Sequence, residues 1–248
     1  MYCDGFFLLK SVNRYQESFR QTSLFGDWPI QKVEVDQFDA RFQMERQGPS
    51  KDTEITFIGS HGTQGSISDF ETWILCNVAK NTKNIFEFGT FTGKTTYLLA
   101  KNAPADAKVF TLTLSPNDIS AYKVSNKDSK ADTKAAIGES IFNDFYYTNH
   151  PVSTKITQLF ADSKAFDETP YVGKIDLIFI DGSHAHSYVE SDTKKALRMI
   201  KPGGIIFWHD YRGPNRAPGV FETLNTFRKT LKLVHIAGTR LVAYKHEG

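Results

Sequence analysis

Cysteines, long apolar runs and surplus basic charge are all scarce in this chain of 248 residues. Its two cysteines, Cys3 and Cys76, provide neither a disulfide framework nor the spacing of a zinc site. No apolar run approaches the roughly 20 residues that cross a bilayer, and the N-terminus lacks the basic-then-apolar order of a secretory signal. These absences predict a cytoplasmic protein in a reducing compartment, with no membrane partner.

The charge of the chain is nearly balanced. Thirty Lys and Arg residues stand against 28 Asp and Glu residues, which leaves a formal net charge of +2. The lysines between 123 and 134 are interspersed with acidic residues and indicate a solvated face. We therefore expect no nucleic-acid partner, because no basic stripe is present to bind one.

Short apolar runs alternate with helical periodicity from residue 84 onward, which predicts a parallel sheet covered by helices on both faces. The run LIFI at 177–180 is typical of a strand buried on both sides. Near the C-terminus, two strands at 233–245 are separated only by AGT, a loop that permits only an antiparallel hairpin. The predicted strands are 84–89, 108–114, 155–161, 174–181 and 204–210, and the predicted helices are 94–103, 188–200 and 221–231. The fold prediction is α/β: a Rossmann-like, doubly wound, mostly parallel seven-stranded sheet with a C-terminal antiparallel hairpin.

Two regions depart from this pattern. Residues 1–60 are aromatic-rich and weakly periodic, and residues 117–150 form a polar insertion. Each is predicted to be a lid or a subunit interface, or alternatively peripheral helices and loops. We expect residues 1–60 to extend a domain over 61–248, an arrangement compatible with a homodimer. Within that domain, the capping-box pattern S-x-x-E at 68–71 precedes an apolar helix within 62–80.

The stretch IFEFGTFTGKTT at 85–96 combines a strand, a glycine turn and a helix, which is where nucleotide-like ligands bind in open parallel sheets. Gly89 and Gly93 let the backbone turn sharply and approach a ligand. The pattern is not G-x-G-x-x-G, because Phe91 holds the middle glycine position, and its spacing is not that of a P-loop. Glu87 would repel a pyrophosphate and attract a cationic amino group such as that of S-adenosylmethionine (SAM), unless it only caps local amides.

These residues carry a resemblance. EFGTFTGKTT resembles the first motif of class I SAM-dependent methyltransferases, and most closely its E-x-G-x-x-x-G form in the cation-dependent O-methyltransferases of the catechol and caffeoyl-CoA type. IDGSH and KPGGIIFWHDY resemble the bacterial branch that includes sugar and antibiotic-tailoring methyltransferases. The resemblance runs from about residue 60 to the C-terminus. It implies SAM as cofactor and a small hydroxylated molecule as acceptor.

The resemblance also implies a set of cofactor-binding residues in the glycine turn and at the following strand ends. The set is Glu87, Gly89, Thr90, Gly93, Thr95, Thr113, Ser115, Asp162, Ser163 and Asp181. Glu87 and the two glycines are implied at the amino-acid end of SAM, and Asp162 near the adenine, unless it is only a turn residue. Thr113 stands where the family has a ribose-binding acid, so that contact is expected from Thr113, Ser115 or a neighbour.

The same resemblance places the chemistry at the ends of two later strands. Asp181 is implied to bind a divalent cation together with His209 and Asp210, a set that suits Mn²⁺ or Fe²⁺ as well as Mg²⁺. His184 stands where catechol-type relatives have the lysine that deprotonates the acceptor, and an imidazole can accept that proton near neutral pH. Two alternatives remain open: a site that has lost its metal, and a His184 that only bonds the end of the sheet.

Two rival functions remain open from the sequence alone. A protein of the same fold can bind SAM without transferring its methyl group, in a regulatory or metal-redox role. An NAD-dependent oxidoreductase is disfavoured by Glu87, by the missing third glycine and by Thr113. Arg212 and Arg216, in the loop after the fifth strand, would suit an anionic acceptor or simply be solvated.

Overall fold

The computed structural model of the chain describes residues 28–63 and 67–247. Residues 1–27 of the aromatic-rich stretch predicted as an extension over 1–60 therefore lie outside the described residues. Within the two described ranges, no helix is both long and apolar enough to cross a membrane.

Eight strands form the main sheet of the described residues. They are β1 (Gln31–Val33), β4 (Asn84–Phe88), β5 (Lys108–Thr113), β6 (Ile156–Phe160), β7 (Ile175–Ile180), β8 (Ile200–Trp208), β9 (Val234–Ile236) and β10 (Val242–Lys245). Their order is β1-β9-β10-β8-β7-β4-β5-β6, and a separate hairpin joins β2 (Met44–Glu45) to β3 (Gly48–Pro49). Strands β4 to β8 pair in parallel, whereas β10 runs antiparallel to both β8 and β9.

The predicted Rossmann-like sheet with a C-terminal antiparallel hairpin is confirmed, with eight strands instead of seven. The additional strand is β1, which pairs in parallel with β9 from Gln31↔Val234 to Val33↔Ile236. A strand of three residues is too short to produce a period-2 pattern, so it could not be recognised from the sequence.

Six α-helices connect the strands in the described part of the chain. They are α1 (Val35–Phe38), α2 (Asp69–Ala79), α3 (Lys94–Asn102), α4 (Lys130–Glu139), α5 (His186–Met199) and α6 (Pro218–Phe227). The predicted capping box forms at the start of α2: the Glu71 amide donates to Ser68 Oγ over 3.2 Å, and the Ser68 amide donates to Glu71 Oε2 over 2.8 Å. Helix α6 begins three residues before its predicted start because Pro218 fits the first turn of a helix.

The core lies on both faces of the sheet, as the continuous apolar strands predict. Ile85, Leu177 and Phe207 pack on the face covered by α2 and α3. On the other face, Ile178 and Trp208 pack with apolar residues of α5 and α6. Both faces of the central strands are therefore closed, and the edge of the sheet at their carboxyl ends is where polar side chains can gather.

Candidate active site

The glycine turn between β4 and α3 brings the ends of two parallel strands unusually close together. Gly89 has a φ of +100°, and a Cβ added there would lie 2.1 Å from the carbonyl oxygen of Asp181. Gly93 has a φ of +77°, and a Cβ there would lie 2.7 Å from the Tyr147 ring. Only glycine fits either position, so no side chain of these two residues covers the backbone of the turn at the carboxyl end of the sheet.

A cleft opens beside this turn, and we call it the apolar cleft. Its apolar walls include Phe88, Leu112 and Leu114, and its polar end includes Asp162 and Ser163. The insertion at 117–150 contributes four further lining residues: Tyr122, Ala136, Glu139 and Ser140. The insertion therefore forms one wall of this cleft, while its role as a lid or subunit interface stays a prediction.

The structure brings together most of the residues predicted to bind the cofactor. Five of them line the apolar cleft: Gly89, Thr113, Asp162, Ser163 and Asp181. Thr90 and Thr95 line a neighbouring cleft on the other side of the turn. Ser115 lines neither cleft, and its hydroxyl accepts a hydrogen bond from the Asn117 amide within a turn. A ribose contact from Thr113, Ser115 or a neighbour stays a prediction.

The Glu87 side chain is buried and bonded within the protein. Its side chain is only 1% exposed, lines neither cleft and accepts hydrogen bonds from the hydroxyls of Thr96 and Thr111, the latter over 2.7 Å. Burial raises the pKa of Glu87 to about 8, although both hydroxyls act to lower it. This carboxyl is therefore mainly neutral at pH 7 and bonded to Thr96 and Thr111 within the protein, and its contact with the amino group of SAM stays a prediction.

The buried Glu87 predicts a specific dependence of stability on pH. Its folded-state pKa of about 8 lies above its ordinary value of 4.5, so the folded protein retains a proton that the unfolded chain releases. Stability should therefore fall as the pH rises from about 5 to 8, by at most about 1.4 kcal/mol per unit. Glu87→Gln cannot ionise and still accepts from the threonines. Its gain in urea midpoint over the wild type should be smallest at pH 5 and grow towards pH 8, and a difference independent of pH would contradict this assignment.

One buried carboxyl group at the polar end of the apolar cleft was not predicted from the sequence. Asp192 of α5 lines the cleft, and burial raises its pKa to about 7. Its Oδ1 atom and the Oδ2 atom of Asp162 are both buried without a hydrogen-bond partner among the described residues. A signal was present, because Asp192 falls on the buried stripe of α5 between Tyr188 and Ala196, where helical spacing predicts an apolar residue.

The second cleft, which we call the polar cleft, contains the predicted catalytic residues. Asp181, His184 and Asp210 each offer one ligand atom, and these three atoms lie within 4.8 Å of one another. Arg212 and Arg240 also line this cleft. The sequence predicted a role for the first three residues and for Arg212, but not for Arg240.

His184 and Asp210 form the closest ion pair of this cluster. His184 Nε2 lies 2.7 Å from Asp210 Oδ2. Burial acts to lower the pKa of His184, but the hydrogen bond to Asp210 and the charges of nearby carboxylates raise it overall. Burial acts to raise the pKa of Asp210, but His184, His209 and Arg212 hold that pKa well below its usual range. The pair therefore resembles the orienting acid and the imidazole of a general base.

His209 does not join Asp181 and Asp210 in the way that the sequence predicted. Its Nδ1 lies 3.0 Å from Asp181 Oδ1, and its Nε2 lies 3.5 Å from Glu71 Oε2. These carboxylates raise the pKa of His209 well above its usual value, although burial alone would lower it. Both ring nitrogens of His209 face carboxylates, whereas the described residues whose ligand atoms converge are Asp181, His184 and Asp210; metal binding by His209 stays a prediction.

The different directions of the His209 and Asp210 side chains follow from the backbone after β8. Side chains alternate along a strand, so His209 follows Phe207 onto the face that α2 covers, where Glu71 lies. Asp210 then has a φ of +58°, which is rare for a residue other than glycine and ends that alternation. As a result, Asp210 reaches the polar cleft beside His184.

The parallel sheet with its antiparallel C-terminal hairpin defines the fold class, and comparison with known proteins identifies the family. Residues 86–211, just over half of the chain, match the family described as a methyltransferase domain. The chain therefore belongs to this methyltransferase family, and the resemblance to class I SAM-dependent methyltransferases is confirmed. Comparison with curated protein sequences gives no match.

Solved structures with the same fold are distant in sequence. The O-methyltransferase NovP is 13% identical over 73% of this chain and 81% of its own, with a TM-score of 0.57. SAH-bound methyltransferase PaMTH1 from Podospora anserina is 18% identical over 73% of this chain and 79% of its own, with a TM-score of 0.51. Cofactor-bound Rv0187 from MTB is 18% identical over 94% of this chain and 97% of its own, also with a TM-score of 0.51. At these identities the likeness shows the shared fold.

Proposed function

We propose that this SAM-dependent methyltransferase methylates a hydroxyl group of a small molecule in the polar cleft, with His184 as the base. The observation that carries the proposal is the cluster of Asp181, His184 and Asp210 at the carboxyl ends of β7 and β8, next to the Gly89 turn. The O-methyltransferase NovP and SAH-bound PaMTH1, which share the fold, support it.

The two clefts suggest where each part of SAM lies. The apolar cleft has the aromatic and aliphatic walls that suit a flat base, and the unpartnered oxygens of Asp162 and Asp192 in the described part of the chain can accept from an amino group. Gly89 and Asp181 line both clefts. SAM bound from the apolar cleft towards this shared boundary would bring its methyl group to the edge of the polar cleft.

Methyl transfer then needs alignment and one proton acceptor. The acceptor oxygen forms a bond to the methyl carbon in line with the bond from carbon to sulfur, which breaks and releases S-adenosylhomocysteine (SAH). His184 receives the proton of the hydroxyl group. Because Nε2 is bonded to Asp210, Nδ1 is the nitrogen that accepts it, and Asp210 stabilises the resulting imidazolium. The proton then passes to solvent.

The same residues fit a divalent cation. Two carboxylates and one imidazole within 4.8 Å suit Mn²⁺ or Fe²⁺ at least as well as Mg²⁺. Asp210 Oδ1 makes no aligned hydrogen bond with any described residue, but Arg212 Nε lies 3.0 Å from it, so a cation bound there would compete with that guanidinium. With a cation bound, Asp181, His184 and Asp210 would hold it, with His184 as a ligand instead of the base, and the cation would supply the Lewis acidity that lowers the pKa of an acceptor hydroxyl.

The test is transfer of a labelled methyl group from SAM to a panel of catechols, sugars and other hydroxylated molecules. Metal-stripped protein should be assayed alone and with Mg²⁺, Mn²⁺ or Fe²⁺. We expect a labelled methyl ether with at least one acceptor, and a fall in kcat of about 10²–10⁴ in His184→Gln. The matched control is His61→Gln, because His61 is exposed and lines neither cleft. Label on nitrogen or carbon in place of oxygen, or unchanged kcat in His184→Gln, would contradict the proposal.

A further inference from the structure

His209 and Glu71 form a buried pair directly behind the candidate active site. His209 is 6% exposed and Glu71 is 1% exposed. We propose that His209 is a positioning residue that holds the Asp181 carboxylate in the orientation needed for methyl transfer, and that Glu71 fixes His209. This inference rests on the proposed function, because the role of Asp181 is assigned there.

The contacts of the imidazole define its role. Nδ1 lies 3.0 Å from Asp181 Oδ1, so one oxygen of that carboxylate is occupied and the other is available to the cleft. Nε2 faces Glu71 Oε2 at 3.5 Å, an ion-pair distance that is not aligned as a hydrogen bond. The ring is also packed near Phe179, with centroids 6.1 Å apart. Asp181 is half-buried and would otherwise have several rotamers open to it.

Glu71 connects this arrangement to two further elements. Its Oε2 accepts from the Ser68 amide at the start of α2, over 2.8 Å. Its Oε1 accepts from the Arg240 amide over 2.6 Å, in the turn between β9 and β10. The Arg240 guanidinium lies 3.8 Å from Asp210 Oδ1. The Glu71 carboxylate thus contacts both His209, which lies behind Asp181, and the turn between β9 and β10, which faces Asp210.

Stability alone is a poor explanation for this pair. Removing two charged groups from water carries a desolvation cost that often offsets their attraction, and apolar residues of similar volume usually stabilise a protein as well. A hydrogen-bonded network does, however, restrict the direction of each member. The arrangement is therefore better explained by orientation of Asp181, whose 3.0 Å contact with His209 Nδ1 is shorter than the 3.5 Å contact of the same atom with Asp210 Oδ1.

Two substitutions separate the orientation of Asp181 from the packing of the His209 ring. Each keeps a nitrogen atom near the place of one of the two imidazole nitrogens. In His209→Asn, the amide nitrogen occupies the place of Nδ1 and still donates to Asp181. In His209→Gln, the amide nitrogen lies near the place of Nε2 and faces Glu71 only. We expect Asn to retain kcat within about fivefold and Gln to lower it by about 10–100-fold, the usual effect of losing a partner behind a site. The KM for SAM should be unchanged in both.

The matched controls are His235→Asn and His235→Gln. His235 is also a buried histidine, 5% exposed, and its Nε2 contacts the Thr239 carbonyl oxygen outside the site. Both controls should keep the wild-type kcat. SAH binding and thermal unfolding of each variant give its folded fraction, and kcat is calculated per folded molecule.

Three results would overturn the inference. Equal losses of kcat in the two His209 variants would show that orientation of Asp181 is not what His209 supplies. Failure of both variants to fold would make the residue structural. Absence of methyl transfer by the wild type would remove the proposed function itself, and this inference with it. An active wild type with equal losses of kcat in the two His209 variants would reject the inference alone.

Discussion

Gly89→Ala should abolish SAH binding and destabilise the fold by roughly 2–5 kcal/mol. Part of this loss is the strain of a Cβ at a φ of +100°, which costs about 1–3 kcal/mol. The rest is overpacking, since the Cβ would lie 2.1 Å from the Asp181 carbonyl oxygen and 2.8 Å from the Gly182 Cα. These are backbone atoms at the end of β7, so relief requires the two strand ends to separate. Urea unfolding and calorimetric titration with SAH measure the two effects.

Two glycine controls separate strain from overpacking. Gly203 has a φ of +78°, and a Cβ added there would have no atom of the described residues within 4 Å, so Gly203→Ala should show strain alone. Gly138 lies in α4 without a positive φ and with free space around it. Gly138→Ala should therefore stabilise the protein by up to about 1 kcal/mol. If Gly89→Ala cost no more than Gly203→Ala, the close approach of β4 and β7 would be disproved.

Asp210→Asn should lower kcat on the order of 10³-fold while the protein remains folded. The carboxylate of Asp210 lies 2.7 Å from His184 Nε2 and 3.0 Å from Arg212 Nε. Asparagine keeps the shape of the side chain and tolerates the φ of +58°, so the backbone is retained. The lost charge leaves His184 without the partner that orients it and stabilises its protonated form. Stability should fall by about 1–3 kcal/mol, because Asp210 is buried among cationic groups.

The control for this prediction is a carboxylate of the same type in an exposed ion pair. Asp106 pairs with Lys83 Nζ at 2.8 Å, and its side chain is 63% exposed. Asp106→Asn should leave kcat unchanged and alter stability by less than about 0.5 kcal/mol. A wild-type kcat in Asp210→Asn, measured on folded protein, would show that Asp210 has no part in the reaction.

The features that the sequence predicted correctly are those set by local patterns. The buried strands, the C-terminal antiparallel hairpin and the capping box of Ser68 and Glu71 each depend on residues close together in the chain. Gly89 was identified because a strand followed at once by a glycine turn and a helix has few arrangements. In the same way, the ends of β7 and β8 had to meet at one edge of the sheet, which placed Asp181 near Asp210.

The place of His209 between Asp181 and Glu71 could not be predicted, because it depends on the direction of side chains past the end of a strand. A sequence does not reveal that Asp210 has a positive φ, which ends the alternation by which ordinary strand geometry sends His209 and Asp210 to opposite faces of the sheet. Glu87 was assigned to the ligand for a similar reason. Its side chain faces Thr96 and Thr111 within the protein, and its contact with a ligand stays a prediction.

The support behind the site depends on contacts between residues far apart in the chain. Glu71 and the amide of Arg240 are 169 residues apart, and the contact exists only because α2 packs beside the turn between β9 and β10. No local pattern encodes such a pair. Asp192 is different, because a carboxylate on the apolar stripe of α5 is visible in the sequence and could have been identified there.

Calorimetric titration of the metal-stripped wild-type protein with SAH tests the cofactor site most directly. A site formed by the Gly89 turn and the apolar cleft predicts one molecule bound per chain, with a dissociation constant on the order of 1–100 µM. Repeating the titration in the presence of Mg²⁺, Mn²⁺ or Fe²⁺ shows whether the cluster at Asp181 also binds a cation. Absence of SAH binding under all these conditions would contradict the assignment of this protein as a SAM-dependent methyltransferase.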